Sequence, residues 1–150
     1  MDVAARPAGV DDAPELAELE EIARSAVAEH RGGLEWLAGS TTSTPATWAE
    51  RVAGAGEWWV AVGTIDGVVV GYCAARRAGG VATIDHLFVL EGARGVGVGE
   101  ALIEEALAWA SDLGASVLEA TALPGDRETK NLFERFGMKA RAITVSRRLA

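Results

Sequence analysis

Apolar side chains recur every three to four positions at Leu16, Leu19, Ile22, Ala23, Ala26 and Val27, which predicts one face of an amphipathic helix. Asp11-Asp12-Ala13-Pro14 supplies its start, with an Asp to cap and a proline tolerated in the first turn. The acidic positions Glu15, Glu18, Glu20 and Glu21 fall mostly in the first turn or on the solvent side. Val3–Pro7 ahead of it reads as a short strand ended by proline, and Gly32-Gly33 closes the helical stretch. A Ser/Thr-rich connector over 34–46 follows, carrying Leu34, Trp36 and Leu37. Then comes a short helix with Thr47 near its cap and Trp48 and Val52 turned inward.

The middle of the chain changes to strand character. Trp58–Ile65 and Val68–Ala75 flank Asp66-Gly67, a two-residue turn suited to right-twisted hairpins. Gly79-Gly80 turns into a third strand, Val81–Leu90. Helical spacing returns at Val98, Leu102, Ile103, Ala106, Leu107 and Ala110, and Gly114 stops it. Val117–Thr121 is a strand expected to run parallel to the preceding one, because a helix joins them. Residues 127–136 form a last helix stopped by Gly137, and Arg141–Leu149 alternates like a final strand. The order is β, α, α, three β, α, β, α, β, an α/β arrangement in one domain over residues 1–150.

Composition narrows the setting. At 150 residues and 49% hydrophobic, the chain can bury a proper core. It has no apolar run of the ~18 residues a membrane span needs, and Met1-Asp2-Val3 does not read as a secretory leader. The single cysteine, Cys73, forms no internal disulfide and reads as an inert core thiol. These features point to the cytoplasm. The net charge of −8 is unevenly placed: residues 1–121 hold 7 basic and 19 acidic side chains, a net of −12, and residues 122–150 hold 7 basic and 3 acidic, a net of +4. Such a surface disfavours nucleic acid, aids solubility and weakly favours an amine-bearing acceptor.

The densest chemical signal is Arg94-Gly95-Val96-Gly97-Val98-Gly99, between a strand and a helix. Glycines permit positive φ and clear the approach path. Backbone N–H groups and the helix N-terminus can then converge on an anion, with Arg94 as an added cation. Gly99-Glu100-Ala101 lacks the Lys-Ser/Thr of a Walker loop, and glycines at 95, 97 and 99 do not have Rossmann spacing.

This loop resembles the signature of the Gcn5-related N-acetyltransferase (GNAT) family, Gln/Arg-x-x-Gly-x-Gly/Ala, at Arg94, Gly97 and Gly99. Leu87-Phe88-Val89 is similar to the family's fourth-strand segment. Leu132-Phe133-Glu134-Arg135-Phe136-Gly137-Met138 is similar to its Leu-Tyr-Glu-Lys-Leu-Gly-Phe ending, and Arg6-Pro7-Ala8 with Asp11-Asp12-Ala13 to its opening. The resemblance implies a mixed, mostly antiparallel twisted sheet of six to seven strands with about four helices. It also implies a splay between the fourth and fifth strands. Acetyl-CoA would be the co-substrate, with no metal, and a small amine or peptide amine the acceptor. A homodimer is compatible with it.

By the same resemblance, Arg94, Gly95, Val96, Gly97, Val98 and Gly99 hold the CoA pyrophosphate. Leu87, Phe88 and Val89 line the pantetheine, with backbone hydrogen bonds from Phe88 and Val89. Asp126 stands where relatives often have Asn, and Lys130 is within reach of a CoA phosphate. Asp85, then His86, is the candidate base, with Glu119 a further option; strand alternation puts Asp85 and His86 on opposite faces. Phe133 replaces the tyrosine that many relatives use to protonate the leaving thiolate, and Tyr72 is the chain's only tyrosine. Trp36, Trp48 and Trp58 are candidates to line an acceptor pocket, while Trp59 and Trp109 belong to the core. The alternative function is a catalytically weak CoA-binding or regulatory domain on the same fold.

Overall fold

A computed structural model describes residues 1–149. Five strands form one sheet in sequential order: β1 (Val3–Pro7), β2 (Trp58–Ile65), β3 (Val68–Ala78), β4 (Val81–Val89) and β5 (Val117–Ala120). The first four are antiparallel neighbours, and β5 joins β4 in parallel. The β2–β3 turn has φ of 50° at Asp66 and 81° at Gly67, the doubly positive pair that matches strand twist.

Helices cover both faces. On one side lie α1 (Ala13–Ala28), α2 (Gly33–Ala38) and α3 (Pro45–Val52). Leu16, Leu19 and Trp48 pack there on Val60, Val62, Tyr72 and Ala74. On the other side lie α4 (Val98–Asp112) and α5 (Arg127–Arg135). Val98, Leu102, Ile103, Ala106 and Phe133 pack on Ala61, Cys73, Ala75 and Ile84. Strand alternation assigns the two layers, since Val60 and Ala61 point opposite ways.

Several expectations change. The alternating tail Arg141–Leu149 is not a strand: Ile143, Val145 and Leu149 are 86–89% exposed, and no neighbour pairs with them. Alternation describes a side-chain pattern, but a strand also needs a partner for its backbone, so among the described residues the sheet has five strands, not six or seven. Gly33–Ala38 forms an additional short helix inside the expected connector. The cap of α3 is Thr44, whose side chain accepts from Thr47 N–H, with Pro45 at the first helical position. Along α1, Ile22 is 48% exposed, whereas Glu20 is 2% exposed and faces inward.

The opening of α1 is fixed by an ion pair. Arg6 reaches both oxygens of Asp12, at 2.8 and 3.0 Å, and Gly9 N–H donates to the same carboxylate at 2.8 Å. The hydrogen bonds from Arg6 hold the Asp12 carboxyl below the ordinary carboxylate range, against the effect of burial. A depressed folded-state pKa contributes stability above the unfolded value and loses it as pH falls through the folded one. Asp12→Asn should therefore lower Tm at pH 7. Arg6 is half exposed, so the loss is about 1 kcal/mol and roughly 2–4 °C. The gap to the parent should narrow as pH falls below the ordinary aspartate value of about 3.9 and through the lowered folded one, as thermal melts across pH will show.

Candidate functional site

The site opens where the sheet comes apart. β5 pairs with β4 only from Val81 to Ile84, so β4 beyond Ile84 has a free edge. Leu90 N–H donates to Val70 C=O on β3. By alternation, Phe88 also turns its polar backbone groups toward β3, and Leu87 and Val89 turn theirs toward the splay. The Val89 carbonyl accepts from Arg94 Nε at 2.9 Å. Leu87 and Val89 are thus the segment's edge donors, while Phe88, whose backbone was also expected to bind, lines the cleft beside them.

A β-bulge follows from the register. Ala74 faces His86 and Ala75 faces Ile84, so Asp85 is the extra residue on β4. The bulge overrides simple alternation. Asp85 and His86 were expected on opposite faces, yet both line one cleft of about 610 Å³ on the α1–α3 side.

Within that cleft Asp85 is engaged by Arg76, Nε to Oδ2 2.7 Å. His86 Nδ1 lies 3.2 Å from the Tyr72 hydroxyl. The imidazole is ringed by Trp48, Tyr72 and Trp58, with centroids 5.2, 5.7 and 6.1 Å away. Burial among these rings pushes its pKa below the usual histidine value, against the pull of Glu20. Burial pushes the Tyr72 phenol well up, so it keeps its proton. The Cys73 thiol is also pushed up by burial and stays protonated inside the sheet.

The far wall carries residues the sequence reading passed over. Glu20 accepts from Ser43 N–H and from Trp48 Nε1 at 3.1 Å. Arg24 and Arg51 line the same space. Glu20 and Arg24 follow Leu16 at i+4 and i+8, so the core-facing stripe of α1 itself pointed to them. Of the tryptophans, Trp36 and Trp58 line the cleft, whereas Trp48 is fully buried. Trp59 stacks on Trp109 at 5.4 Å. Glu119 is exposed on β5, outside the cleft lining.

At the other end, Gly95 and Gly97 have φ of 82° and 102°, and Gly97 starts the 15-residue helix α4. The first hydrogen bond in that helix runs from Ala101 N–H to Gly97 C=O, which leaves the N–H groups of Val98, Gly99 and Glu100 free of helical partners. Val96 is exposed at the loop tip and the Val98 side chain is buried. At Gly99 the helices come close: a Cβ there would lie 2.8 Å from Leu132 Cδ2, the end of a flexible side chain on α5. Glu100 is drawn to Arg135 at 2.6 Å, and Arg94 to Glu128 at 3.1 Å. Converging amides, two positive-φ glycines and the free β4 edge make a cradle and slot that fit a phosphorylated, extended thiol carrier.

Asp126 caps α5, accepting from Thr129 N–H at 3.2 Å and Thr129 Oγ1 at 2.7 Å. Lys130 is exposed and pairs with Glu134 at 3.5 Å. Phe133 lines the cleft with no polar atom on its side chain. Among the described residues, no helix is long and apolar enough to cross a membrane.

The family model described as acetyltransferase (GNAT) family matches residues 16–138. Among solved structures, a mutant of a Bacillus halodurans protein aligns with all of this chain and all of its own, at 21% identity and a TM-score of 0.80. A PaiA N-acetyltransferase from Thermoplasma acidophilum, in complex with coenzyme A, aligns over 96% of this chain and 94% of its own. Its identity is 12% and its TM-score 0.78. An aminoglycoside N-acetyltransferase in complex with CoA aligns over 99% and 95%, at 16% identity and a TM-score of 0.73. No curated protein sequence matches the chain.

Proposed function

Given that the chain belongs to the acetyltransferase (GNAT) family, we propose that it transfers the acetyl group of acetyl-CoA directly to a primary amine, both substrates being bound together. The observation that carries this is one cleft lined both by Leu87 and Phe88 at the β4–β5 splay and by the bulge residues Asp85 and His86. Amides of Gly95–Glu100 would hold the pyrophosphate, and Leu87 and Val89 the pantetheine amides. Acetyl-CoA supplies an acyl thioester whose sulfur leaves as a thiolate.

The chain's own groups move the protons. His86 is the preferred base, because its neighbours keep it neutral and Asp85 is already engaged by Arg76. We assign the tautomer in which Nδ1–H donates to the Tyr72 oxygen, leaving the Nε2 lone pair to take the amine proton. Tyr72 then serves as a conduit. Its raised pKa makes it a poor acid alone, but it can release its hydroxyl proton while regaining one from the imidazolium. This arrangement supplies the proton that a hydroxyl at position 133 would otherwise give.

The test is thiol release on incubation with acetyl-CoA and a panel of amines. Tight CoA binding with no release from any amine favours the second reading, a CoA-binding domain with little turnover, which Phe133 motivates. A pH profile adds detail. Because the folded pKa of His86 is lowered, kcat at saturating substrates should rise with pH through an inflection below 6.5 and level off by about pH 7.5. An inflection well above 7 would remove His86 as the base.

A further inference from the structure

We infer that the acceptor amine carries a carboxylate, received by Arg51 at the end of the cleft away from the glycine loop. This deepens the transfer reading and rests on it.

The cleft's carboxylates are already matched. Asp85 pairs with Arg76 at 2.7 Å and Glu35 with Arg148 at 3.6 Å. Glu20 takes the Ser43 N–H and the Trp48 indole, and Asp126 caps its own helix. Arg51 is not matched. Among the described residues its one hydrogen bond goes from Nη1 to the neutral Ser43 Oγ, at 2.9 Å, and no carboxylate lies within ion-pair distance. Arg24, beside it, donates only to Ser40 Oγ and Ser40 C=O, both at 3.0 Å. Two guanidiniums therefore line the cleft without an ion-pair partner.

The setting of Arg51 suits a planar anion. Its guanidinium lies 4.8 Å from the Trp48 ring centroid and 4.5 Å from that of Trp58. Indoles against the group favour approach at its N–H edge, where a fork of donors matches two carboxylate oxygens. Its place along the sheet separates it from the cofactor end. Trp58 pairs with Arg76, and Arg76 with Thr83, on the first half of β4, whereas the loop follows Val89 at the other end. An amine delivered near His86 could thus have its carboxylate on Arg51. A polycation would meet Arg24 and Arg51, neither of which has an ion-pair partner among the described residues.

Tryptophan fluorescence of the CoA-loaded protein reads binding directly, since Trp48 and Trp58 flank the site. Glycine, β-alanine, leucine and phenylalanine would be titrated, each beside its carboxamide. At least one amino acid should bind at least ~10-fold more tightly than its amide, and Arg51→Gln should shrink that preference to about twofold or less. Arg24→Gln is the second variant if the first does not fold; it should at least halve the preference. Amides binding as well as acids, no binding of either series, or a preference that survives both substitutions overturns the inference. Carboxylate-selective binding without thiol release leaves the inference standing and overturns transfer. Thiol release from amines with no carboxylate preference does the reverse.

Discussion

Gly97→Glu should weaken CoA binding by ~100-fold or more while leaving a folded protein. Gly97 has φ of 102° and precedes α4, whose first-turn N–H groups are free. A glutamate there places a carboxylate in the space proposed for a pyrophosphate. At ~5 Å and an effective dielectric of about 20, one charge pair repels by roughly 3 kcal/mol, which is more than a hundredfold in affinity. The left-handed backbone costs a further ~1–2 kcal/mol of stability for a side chain. A 150-residue domain tolerates that loss. Gly97→Asn is the control: asparagine accepts the left-handed region and adds no charge, so its loss should stay under about tenfold. Calorimetric titration with CoA, beside circular dichroism to verify folding, measures both. Unchanged affinity in Gly97→Glu would show that the phosphates lie elsewhere.

Much of the architecture was legible because it rests on local rules. The Asp66-Gly67 turn, the Val98–Ala110 stripe and the glycine stops at 114 and 137 are all decided within a few residues. What escaped depends on partners distant in sequence. The tail Arg141–Leu149 alternates like a strand but stays unpaired. Asp85 and His86 share a face because of a bulge, which needs the register against Ala74 and Ala75 to be seen. Glu20 was grouped with glutamates expected mostly on the solvent side or in the first turn, although its spacing from Leu16 places it on the buried stripe. Ser43 and Trp48, from a separate segment, supply the donors that let this carboxylate go inside.

His86→Ala should lower kcat by ~100- to 1,000-fold with acetyl-CoA affinity nearly unchanged, since a positioned general base contributes about that much. Asp85→Asn should cost under about tenfold, because the Asp85 carboxylate is already tied to Arg76. A larger loss in Asp85→Asn than in His86→Ala would reverse the assignment. Loss of the ring also leaves a gap against Trp48 and Trp58, so rate loss alone would not separate base from filler. Added imidazole does separate them: it should restore part of kcat in His86→Ala, with the restored rate following the fraction of free-base imidazole. A cavity that merely loosens the site would respond to imidazole without that pH dependence. Tyr72→Phe tests the conduit. It keeps the ring that packs on Trp48 and removes only the hydroxyl beside His86 Nδ1. If Tyr72 relays the proton, the variant should lose kcat by ~10-fold or more and keep the acidic inflection of His86. If water protonates the thiolate instead, Tyr72→Phe should turn over like the parent, and the want of a hydroxyl at Phe133 would then be met by solvent.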